Sequence, residues 1–196
     1  MINEKFVLVG ALLNIMGSLT YAWSTLKGKT KPNRVTWLLW AIAPLIAFAA
    51  QIDKGVGLQS LMTFMVGFGP LLVLIASLLN RKAFWKITKL DILCGSLSVV
   101  ALILWRVTGE GNLAIALSIL ADLFAAIPTL IKAFKKPETE HSDVFRNGAI
   151  SAGITLLTIK TWTFANAGFA IYILAICITL YALIRFKIGK RLTARP

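Results

Sequence analysis

The chain alternates long apolar blocks with short polar segments that carry most of its charge. A helix needs about 20 apolar residues to cross the hydrocarbon layer of a membrane, and blocks of that order recur along the chain. We distinguish seven, over residues 6–26, 35–51, 57–79, 88–106, 112–131, 144–160 and 164–186. Because the blocks account for most of the 196 residues, no room remains for a separate soluble domain. The pattern predicts an all-α integral membrane protein with seven transmembrane helices.

Basic residues lie between the apolar blocks and favour one side of the predicted membrane. Seventeen of the 21 Lys and Arg fall on alternate connections and on the C-terminal tail: Lys27, Lys29, Lys31, Arg34, Arg81, Lys82, Lys86, Lys89, Lys132, Lys135, Lys136, Arg146, Arg185, Lys187, Lys190, Arg191 and Arg195. The other side has Lys5, Lys54, Arg106 and Lys160. Because basic loops are retained in the cytoplasm, the N-terminus is predicted outside and the C-terminus inside. The net charge of +13 therefore reports topology and contact with anionic lipid of the bilayer, and no nucleic-acid binding is expected.

The first apolar block shares its apolar character and position with secretory signals, and two features favour a retained helix instead. Its flank MINEK carries one acid and one base, and no clear A-x-A cleavage site follows. Removing the block would also break the alternation of basic connections. Cys94 and Cys177 lie within predicted helices, in neither a metal-ligand nor a disulfide spacing. No metal or cofactor is predicted.

Connection lengths divide the helices into groups of three, one and three. The first bundle is predicted over residues 1–80, the linker helix over 81–109, and the second bundle, with a short basic tail, over 110–196. A shift of 105 residues aligns Lys27 with Lys132, Lys31 with Lys136 and Pro32 with Pro137. Because one extra helix separates the bundles, both have the same orientation across the membrane. A parallel repeat, related by an axis along the membrane normal, is the expected arrangement.

Polar and small residues recur on one face of five predicted helices when the chain is plotted at 3.6 residues per turn. The stripes are Gly10, Asn14, Gly17 and Tyr21; Thr36, Trp40, Ala43, Pro44, Ala47 and Gln51; Gln59, Thr63 and Pro70; Ser118, Asp122, Ala125 and Thr129; and Asn147, Ser151, Thr155 and Thr158. Helix 4 has a weaker stripe, as expected of a linker. For a single Ser or Thr, close helix packing is the simpler interpretation. Five stripes, in both bundles, favour the walls of a shared polar cavity.

The segment SILADLFAAIPTLIK, residues 118–132, holds one carboxylate, Asp122, near the middle of helix 5. At 1.5 Å per residue this is close to the bilayer midplane, where a carboxylate costs about 2.5 to 3.5 kcal/mol on insertion scales. Asp122 must therefore point away from lipid. A structural aspartate, held by a hydroxyl such as Thr155 or by Asn14, is one interpretation. We favour the other, a substrate acceptor or a protonatable coupling group, because transport sites lie at mid-depth between repeats.

Prolines and tryptophans add candidate hinge and contact residues. Pro44, Pro70 and Pro128 lie inside helices 2, 3 and 5, where each removes a helix hydrogen bond and permits a kink. Such kinks are often static, and in a protein that opens to alternate sides they can act as hinges. Trp40 shares the inward face of helix 2 and is placed to stack on a substrate ring. Trp37 is expected in the aromatic belt at the membrane interface.

A chain of three, one and three helices with an outside N-terminus resembles the SWEET and PQ-loop superfamily of sugar and amino-acid carriers. It also resembles the nicotinamide-riboside transporters and the KDEL receptors of the same fold. The family's Pro-Gln pair has its counterpart in IPTLIKAFKKP, where Pro128 matches the proline and Thr129 replaces the glutamine. The resemblance implies a tryptophan on the second helix and an asparagine on the third helix of a bundle. Trp40 fills the first role, and Asn166 and Gln59 approximate the second.

These features predict a carrier that moves a small polar organic solute, such as a sugar, nucleoside or vitamin, by alternating access. The predicted contacts to this small-molecule substrate are Asn14, Trp40, Gln59, Asp122, Thr155 and Asn166. The alternative is a receptor or sorting protein of the same fold, which binds a ligand without flux. An enzyme is not expected, because the single histidine, His141, lies in a loop and no metal cluster or Ser-His pair accompanies it. We expect a prokaryotic plasma (inner) membrane location, and leave open whether the chain forms a homo-oligomer.

Overall fold

The computed structural model describes residues 2–108 and 110–193, and these residues form helices and turns without a strand. The α-helices are α1 (Phe6–Leu26), α2 (Arg34–Asp53), α3 (Ser60–Leu79), α4 (Lys89–Thr108), α5 (Gly111–Lys135), α6 (Ser142–Thr158), α7 (Phe164–Arg185) and α8 (Ile188–Thr193). A 3-10 turn, Pro137–Thr139, lies between α5 and α6. Residue 109, which was predicted to end the linker, Arg195 and the side chain of Arg106 lie outside the described part.

Each of the seven apolar blocks forms a helix, with ends within four residues of the predicted ones. Polar side chains define several helix starts, as their capping preference leads us to expect. The Asn33 side chain accepts hydrogen bonds from two N–H groups at the start of α2, and Thr163 Oγ1 accepts one from Asn166 N–H at 3.3 Å. Gly28 and Gly55 have φ of 73° in the turns after α1 and α2, a conformation that costs glycine little.

Five helices of the described part, α1, α2, α3, α5 and α7, are long and apolar enough to cross a membrane. With 17 residues, α6 is shorter than any of these. Large apolar side chains are exposed on the outside of the helices, among them Leu12, Met16, Leu79, Leu157 and Ile178. An extensive apolar surface of this kind is unfavourable in water and matches the acyl chains of a bilayer. The structure is therefore consistent with an all-α membrane protein.

Six of the helices form a closed ring. Around it, α1 packs on α3, α3 on α2, α2 on α5, α5 on α7, α7 on α6, and α6 on α1. In each half of the chain the third helix of the group thus lies between the other two. The remaining long helix, α4, packs outside the ring against α5 and, to a lesser extent, α2.

Successive long helices run in opposite directions, so their connections collect at two ends of the ring. We call one the basic end, formed by residues 27–33, 80–88, 136–141 and 186–193, and the other the opposite end, formed by residues 2–5, 54–59 and 159–163. Backbone hydrogen bonds join the connections of the basic end to one another. Lys31 N–H donates to the Thr139 carbonyl at 3.0 Å, and Trp85 N–H donates to the Pro32 carbonyl at 3.0 Å. The connections after α1 and after α5, which align when the sequence is shifted against itself, are therefore in direct contact.

A buried aspartate at its first turn holds α4 against the ring. Asp91 Oδ1 accepts a hydrogen bond from the Asn33 side chain, which also caps α2. Asp91 Oδ2 accepts from Thr88 N–H at 2.5 Å and from Thr88 Oγ1 at 2.6 Å. Further along α4, Ser98 Oγ donates to the Ala121 carbonyl of α5 at 2.7 Å. These bonds fix the position of α4 beside α2 and α5.

Glycine permits the close contact between α1 and α6. A Cβ on Gly10 would lie 3.0 Å from Ser151 Oγ, and one on Gly17 would lie 3.0 Å from the Val144 Cα. Small residues let helix backbones approach, and this contact is a main source of helix association in membranes. The polar stripe of α1 is therefore buried, as predicted, with its glycines against α6. The stripes predicted on α2, α5 and α6 are buried as well.

Candidate binding cavity

The ring contains a small cavity between two apolar clusters. The cluster nearer the basic end includes Tyr21 and Phe145, and the cluster nearer the opposite end includes Ile115 and Phe169. The cavity has a volume of about 60 Å³, which is several times what one buried water needs. It is lined by Asn14, Ser18, Trp37, Trp40, Val66, Pro70, Asp122, Val144, Phe145, Gly148, Ile173, Ile176, Cys177 and Leu180. Most of this lining is apolar, so its few polar groups determine what it can bind.

Asp122 of α5 is one of these polar groups and is 2% exposed. Tyr172 of α7 donates its hydroxyl to Asp122 Oδ2 at 2.5 Å. Trp40 of α2 donates Nε1–H to the main-chain carbonyl of Asp122 at 3.2 Å. Asp122 is therefore buried among the helices, as predicted. Its side-chain partner is Tyr172, whereas the structural interpretation expected Thr155 or Asn14.

Asp122 differs from the two other acids that are buried in the described structure. Both carboxylate oxygens of Asp91 accept hydrogen bonds at the start of α4, and both oxygens of Glu140 accept hydrogen bonds at the basic end. Asp122 Oδ1 has no hydrogen-bond partner among the described residues. Burying a carboxylate oxygen in apolar surroundings without a partner is costly. The free oxygen at the cavity therefore indicates a place for a proton, a water or a ligand.

Two hydrogen-bond donors at the cavity also lack a partner in the described part of the chain. They are the indole N–H of Trp37 and the hydroxyl of Ser18, and both residues are buried. The prediction that Trp37 lies in an interfacial belt is wrong. Trp37 lies in the first turn of α2, which begins at Arg34, and its side chain is buried against the other helices. The centroid of its indole lies 4.6 Å from that of the Tyr21 side chain.

Three aromatic rings form one wall of the cavity. Trp37 and Trp40 meet edge to face with their centroids 5.5 Å apart, and Trp40 meets Phe145 of α6 in the same way at 6.1 Å. This is a favourable arrangement for aromatic pairs. The wall lies on the side of the cavity towards the basic end, and it brings together α2 and α6, which come from different halves of the chain.

The structure brings three of the six predicted contact residues to the cavity, namely Asn14, Trp40 and Asp122. Thr155 is buried within α6, where its hydroxyl donates to the Ser151 carbonyl at 3.0 Å. It does not line the cavity. The hydroxyl thus satisfies the helix backbone, which is the packing role that the sequence left open for any single threonine.

The other two predicted contact residues lie at the opposite end, where amide side chains link helices. Gln59 Nε2 donates to the Thr158 carbonyl at 3.5 Å, and Asn166 Nδ2 donates at 2.7 Å to the backbone of the connection before α7. Gln51 Nε2 donates to the Ala165 carbonyl at 3.0 Å, which ties α2 to α7. Gln59 and Asn166 are outside the cavity, so a role in binding stays a prediction for both.

The three candidate hinge prolines, Pro44, Pro70 and Pro128, lie inside α2, α3 and α5 as predicted. A proline leaves the carbonyl four residues earlier without its helix hydrogen bond. For Pro44 that carbonyl belongs to Trp40, and for Pro70 it belongs to Val66. Both of these residues, and Pro70 itself, line the cavity. Motion about the prolines stays a prediction.

A charged network links the helices at the basic end. Lys132 of α5 pairs with Glu140 at 2.6 Å, with both side chains fully buried, and also donates to the Lys31 carbonyl. Tyr21 of α1 donates its hydroxyl to the second oxygen of Glu140. The Lys132 ammonium lies 5.0 Å from the centroid of the Trp85 ring. The network therefore joins the connections after α1, after α3 and after α5.

Sequence reasoning missed the structural roles of Tyr172, Glu140 and Lys132. A tyrosine near the middle of the largely apolar α7 is a signal that its hydroxyl has a buried partner, and Tyr172 has one. On the sequence, Lys132 is one of many basic residues that set topology and is aligned with Lys27 in the repeat, and neither property predicts a buried partner. Nothing in the spacing of Lys132 and Glu140 distinguishes a buried ion pair from two solvated charges at a helix end.

Comparison of the chain with protein-family models, with curated proteins and with solved structures finds no match. The resemblance to the SWEET and PQ-loop superfamily, which was based on helix number and on Pro128 and its neighbours, therefore stays a prediction. The fold and the cavity are known from the residues of this chain alone.

Proposed function

We propose that this chain is a membrane carrier that moves a small polar organic solute by alternating access. In this proposal seven helices span a prokaryotic plasma (inner) membrane with the N-terminus outside. Helices α1–α3 and α5–α7 form two parallel bundles, α4 links them, and the fold is that of the SWEET and PQ-loop superfamily. The bundles rock about the cavity, where Asp122 contacts the solute.

One observation carries the proposal: a carboxylate oxygen without a partner among the described residues lies at a cavity about halfway between the two ends of the ring. Asp122 is near the middle of α5 (Gly111–Lys135), and packed apolar clusters lie on either side of the cavity. Passage of a solute past Asp122 from one end of the ring to the other therefore requires the helices to separate at each end. Opening of one end at a time around a central site is what alternating access requires.

The order of helix contacts supports two matching bundles. The third helix lies between the other two in each group, and the contact of α1 with α6 has its counterpart in the contact of α5 with α2. A two-fold axis through the centre of the ring, which exchanges α1–α3 with α5–α7, produces this pattern of contacts. The place of α4 outside the ring suits a linker helix.

Transport into proteoliposomes tests the proposed function. A thermal-shift screen of sugars, nucleosides, vitamins and amino acids on the purified protein selects solutes, whose uptake is then measured. We expect saturable uptake, and a reduction of about tenfold or more in Asp122→Asn, since this variant loses a charge-assisted contact. Asp53→Asn, which removes an exposed carboxylate at the end of α2, is the matched control and should transport like the wild type.

Binding of a screened solute without flux would contradict the carrier and favour the receptor alternative. Unchanged uptake kinetics in a correctly inserted Asp122→Asn variant would exclude Asp122 from the solute path. Insertion is checked by size-exclusion chromatography and by helix content, so that a folding defect is not mistaken for a loss of binding.

A further inference from the structure

We infer that the cavity binds a small organic ammonium cation, held by the Asp122 carboxylate and the aromatic wall. This inference rests on the proposed function, because it names the chemical class of the solute at the same site. It narrows the range of solutes from polar molecules in general to those that carry a positively charged nitrogen. Three features of the cavity lead to it: its charge, its rings and its small number of polar groups.

The charge of the cavity lining is unbalanced. Asp122 is the sole ionisable carboxylate among the described lining residues, and no Lys, Arg or His is among them. The two other buried carboxylates of the described structure are compensated, Glu140 by Lys132 at 2.6 Å and Asp91 by neutral donors on both oxygens. A buried carboxylate that is not compensated is strongly unfavourable. At Asp122 an ammonium ligand would supply the compensation, with Oδ1 as its acceptor.

The rings around Asp122 suit a cation as well. Trp40 is fixed next to Asp122 by its hydrogen bond to the Asp122 main-chain carbonyl at 3.2 Å. Trp37 and Phe145 flank Trp40 with their centroids 5.5 and 6.1 Å from it. The faces of aromatic rings attract ammonium groups, and tryptophan does so most strongly. A carboxylate beside several such rings is the chemistry that recognises alkylammonium groups.

The polarity of the cavity disfavours polyols. A sugar has a hydroxyl on nearly every carbon, and each hydroxyl needs a partner when it is buried. The described lining offers few: Asn14, Ser18, the Trp37 indole N–H and the free oxygen of Asp122. One charged nitrogen with apolar substituents matches such a lining.

Cys177 provides a direct readout, because it lines the cavity and is one of two free cysteines, the other being Cys94. In a Cys94→Ala background, Cys177 is the sole thiol. The labelling rate of Cys177 by N-ethylmaleimide is measured on the full chain in nanodiscs, with methylammonium, tetramethylammonium or choline present. The neutral isostere of choline, 3,3-dimethylbutan-1-ol, is the control ligand. We expect the cations to slow labelling in a saturable manner and the neutral alcohol to leave it unchanged.

Three variants test the parts of the site separately. Asp122→Asn should weaken protection by the cations about tenfold or more, because the opposing charge is lost. Trp40→Leu retains the carboxylate and should weaken protection by the cations about threefold to tenfold, because one ring of the aromatic wall is lost. A Trp40→Phe variant keeps a ring and should recover part of that loss, which a purely structural role of Trp40 would not predict. Should Asp122→Asn fail to fold, the Trp40 pair and the choline isostere still decide the question.

The outcomes separate this inference from the proposed function. Protection by cations without uptake in proteoliposomes would confirm the ligand class and overturn the carrier. Uptake of a neutral sugar or nucleoside, with no protection of Cys177 by any cation, would confirm the carrier and overturn the ligand class. Equal protection by choline and its neutral isostere would show that shape alone is recognised, and would likewise overturn the inference.

Discussion

The two ends of the helix ring are held by different kinds of interaction. At the basic end, a buried ion pair between Lys132 and Glu140 is completed by the Tyr21 hydroxyl and by the Lys31 carbonyl. At the opposite end the hydrogen bonds between the halves in the described structure are neutral: the Gln51 amide donates to the Ala165 carbonyl, the Gln59 amide to the Thr158 carbonyl, and Ile2 N–H to the Leu157 carbonyl. Both ends are otherwise packed with apolar side chains.

This difference bears on which end separates more readily. Breaking a buried ion pair leaves charges without partners and is far more costly than exchanging an amide–carbonyl bond for bonds to water. We therefore expect the opposite end to open at lower cost, and the basic end to need rehydration of Lys132 and Glu140. The following experiments test this difference between the two ends. Labelling of Cys177, which lines the cavity, reports access from either end.

The largest effect is expected from Lys132→Met. It leaves Glu140 buried without its cation, so the free energy of unfolding should fall by about 3 to 5 kcal/mol. Thermal unfolding in detergent measures the loss, and labelling of Cys177 by a charged thiol reagent in oriented vesicles should accelerate from the basic end. Lys135→Met, an exposed lysine on the next turn of α5, is the matched control.

The double variant Lys132→Met with Glu140→Gln removes both charges and should recover much of the stability lost in Lys132→Met. A single Lys132→Met variant as stable as the wild type would show that the ion pair does not hold the basic end.

A smaller effect is expected from Gln51→Leu at the opposite end. The variant loses one neutral hydrogen bond to the Ala165 carbonyl, worth about 1 kcal/mol, and keeps the apolar packing of the side chain. Unfolding should change by about that amount, while Cys177 labelling should accelerate from the opposite end and not from the basic end. Faster labelling from the basic end would contradict the assignment of Gln51 to one end of the path.

The smallest effect is expected at the surface pair of Glu138 and Lys190, whose charged atoms are 2.8 Å apart. The hydrogen bond from Lys190 lowers the pKa of Glu138 below its ordinary value. A lowered folded-state pKa gives stability that is present above the ordinary glutamate pKa of about 4.3 and is lost as the pH falls through the lowered value. Since both side chains are half exposed, the pair is worth about 1 kcal/mol or less.

Lys190→Ala should therefore lower the unfolding temperature slightly at pH 7 and have no effect once Glu138 is protonated in the acid range. Arg191→Ala, at the neighbouring exposed position, serves as the control for removal of one positive charge. An equal effect of Lys190→Ala at both pH values would show that the pair contributes through packing and not through charge.

Much of the fold was predictable because helix formation in apolar blocks depends on local composition. The seven helices follow the seven blocks, and stripes such as Gly10 to Tyr21 and Ser118 to Thr129 are buried as predicted. The short helix α8 and the 3-10 turn before α6 were not predicted, since neither has a long apolar run. Trp37 was misplaced because a tryptophan near a helix start has the same sequence pattern whether it faces lipid or the ring.

By itself the sequence determined the helices, their alternating direction and the burial of Asp122. These features depend on the free energy of burying apolar or charged groups, and the composition of each segment sets that free energy. Only the tertiary structure decided that Tyr172 bonds to Asp122, that Lys132 pairs with Glu140, and that Thr155, Gln59 and Asn166 stay outside the cavity. Side-chain partners on different helices depend on the rotation and height of each helix against its neighbours. That relation is fixed by packing of the whole ring, and no single segment of sequence contains it.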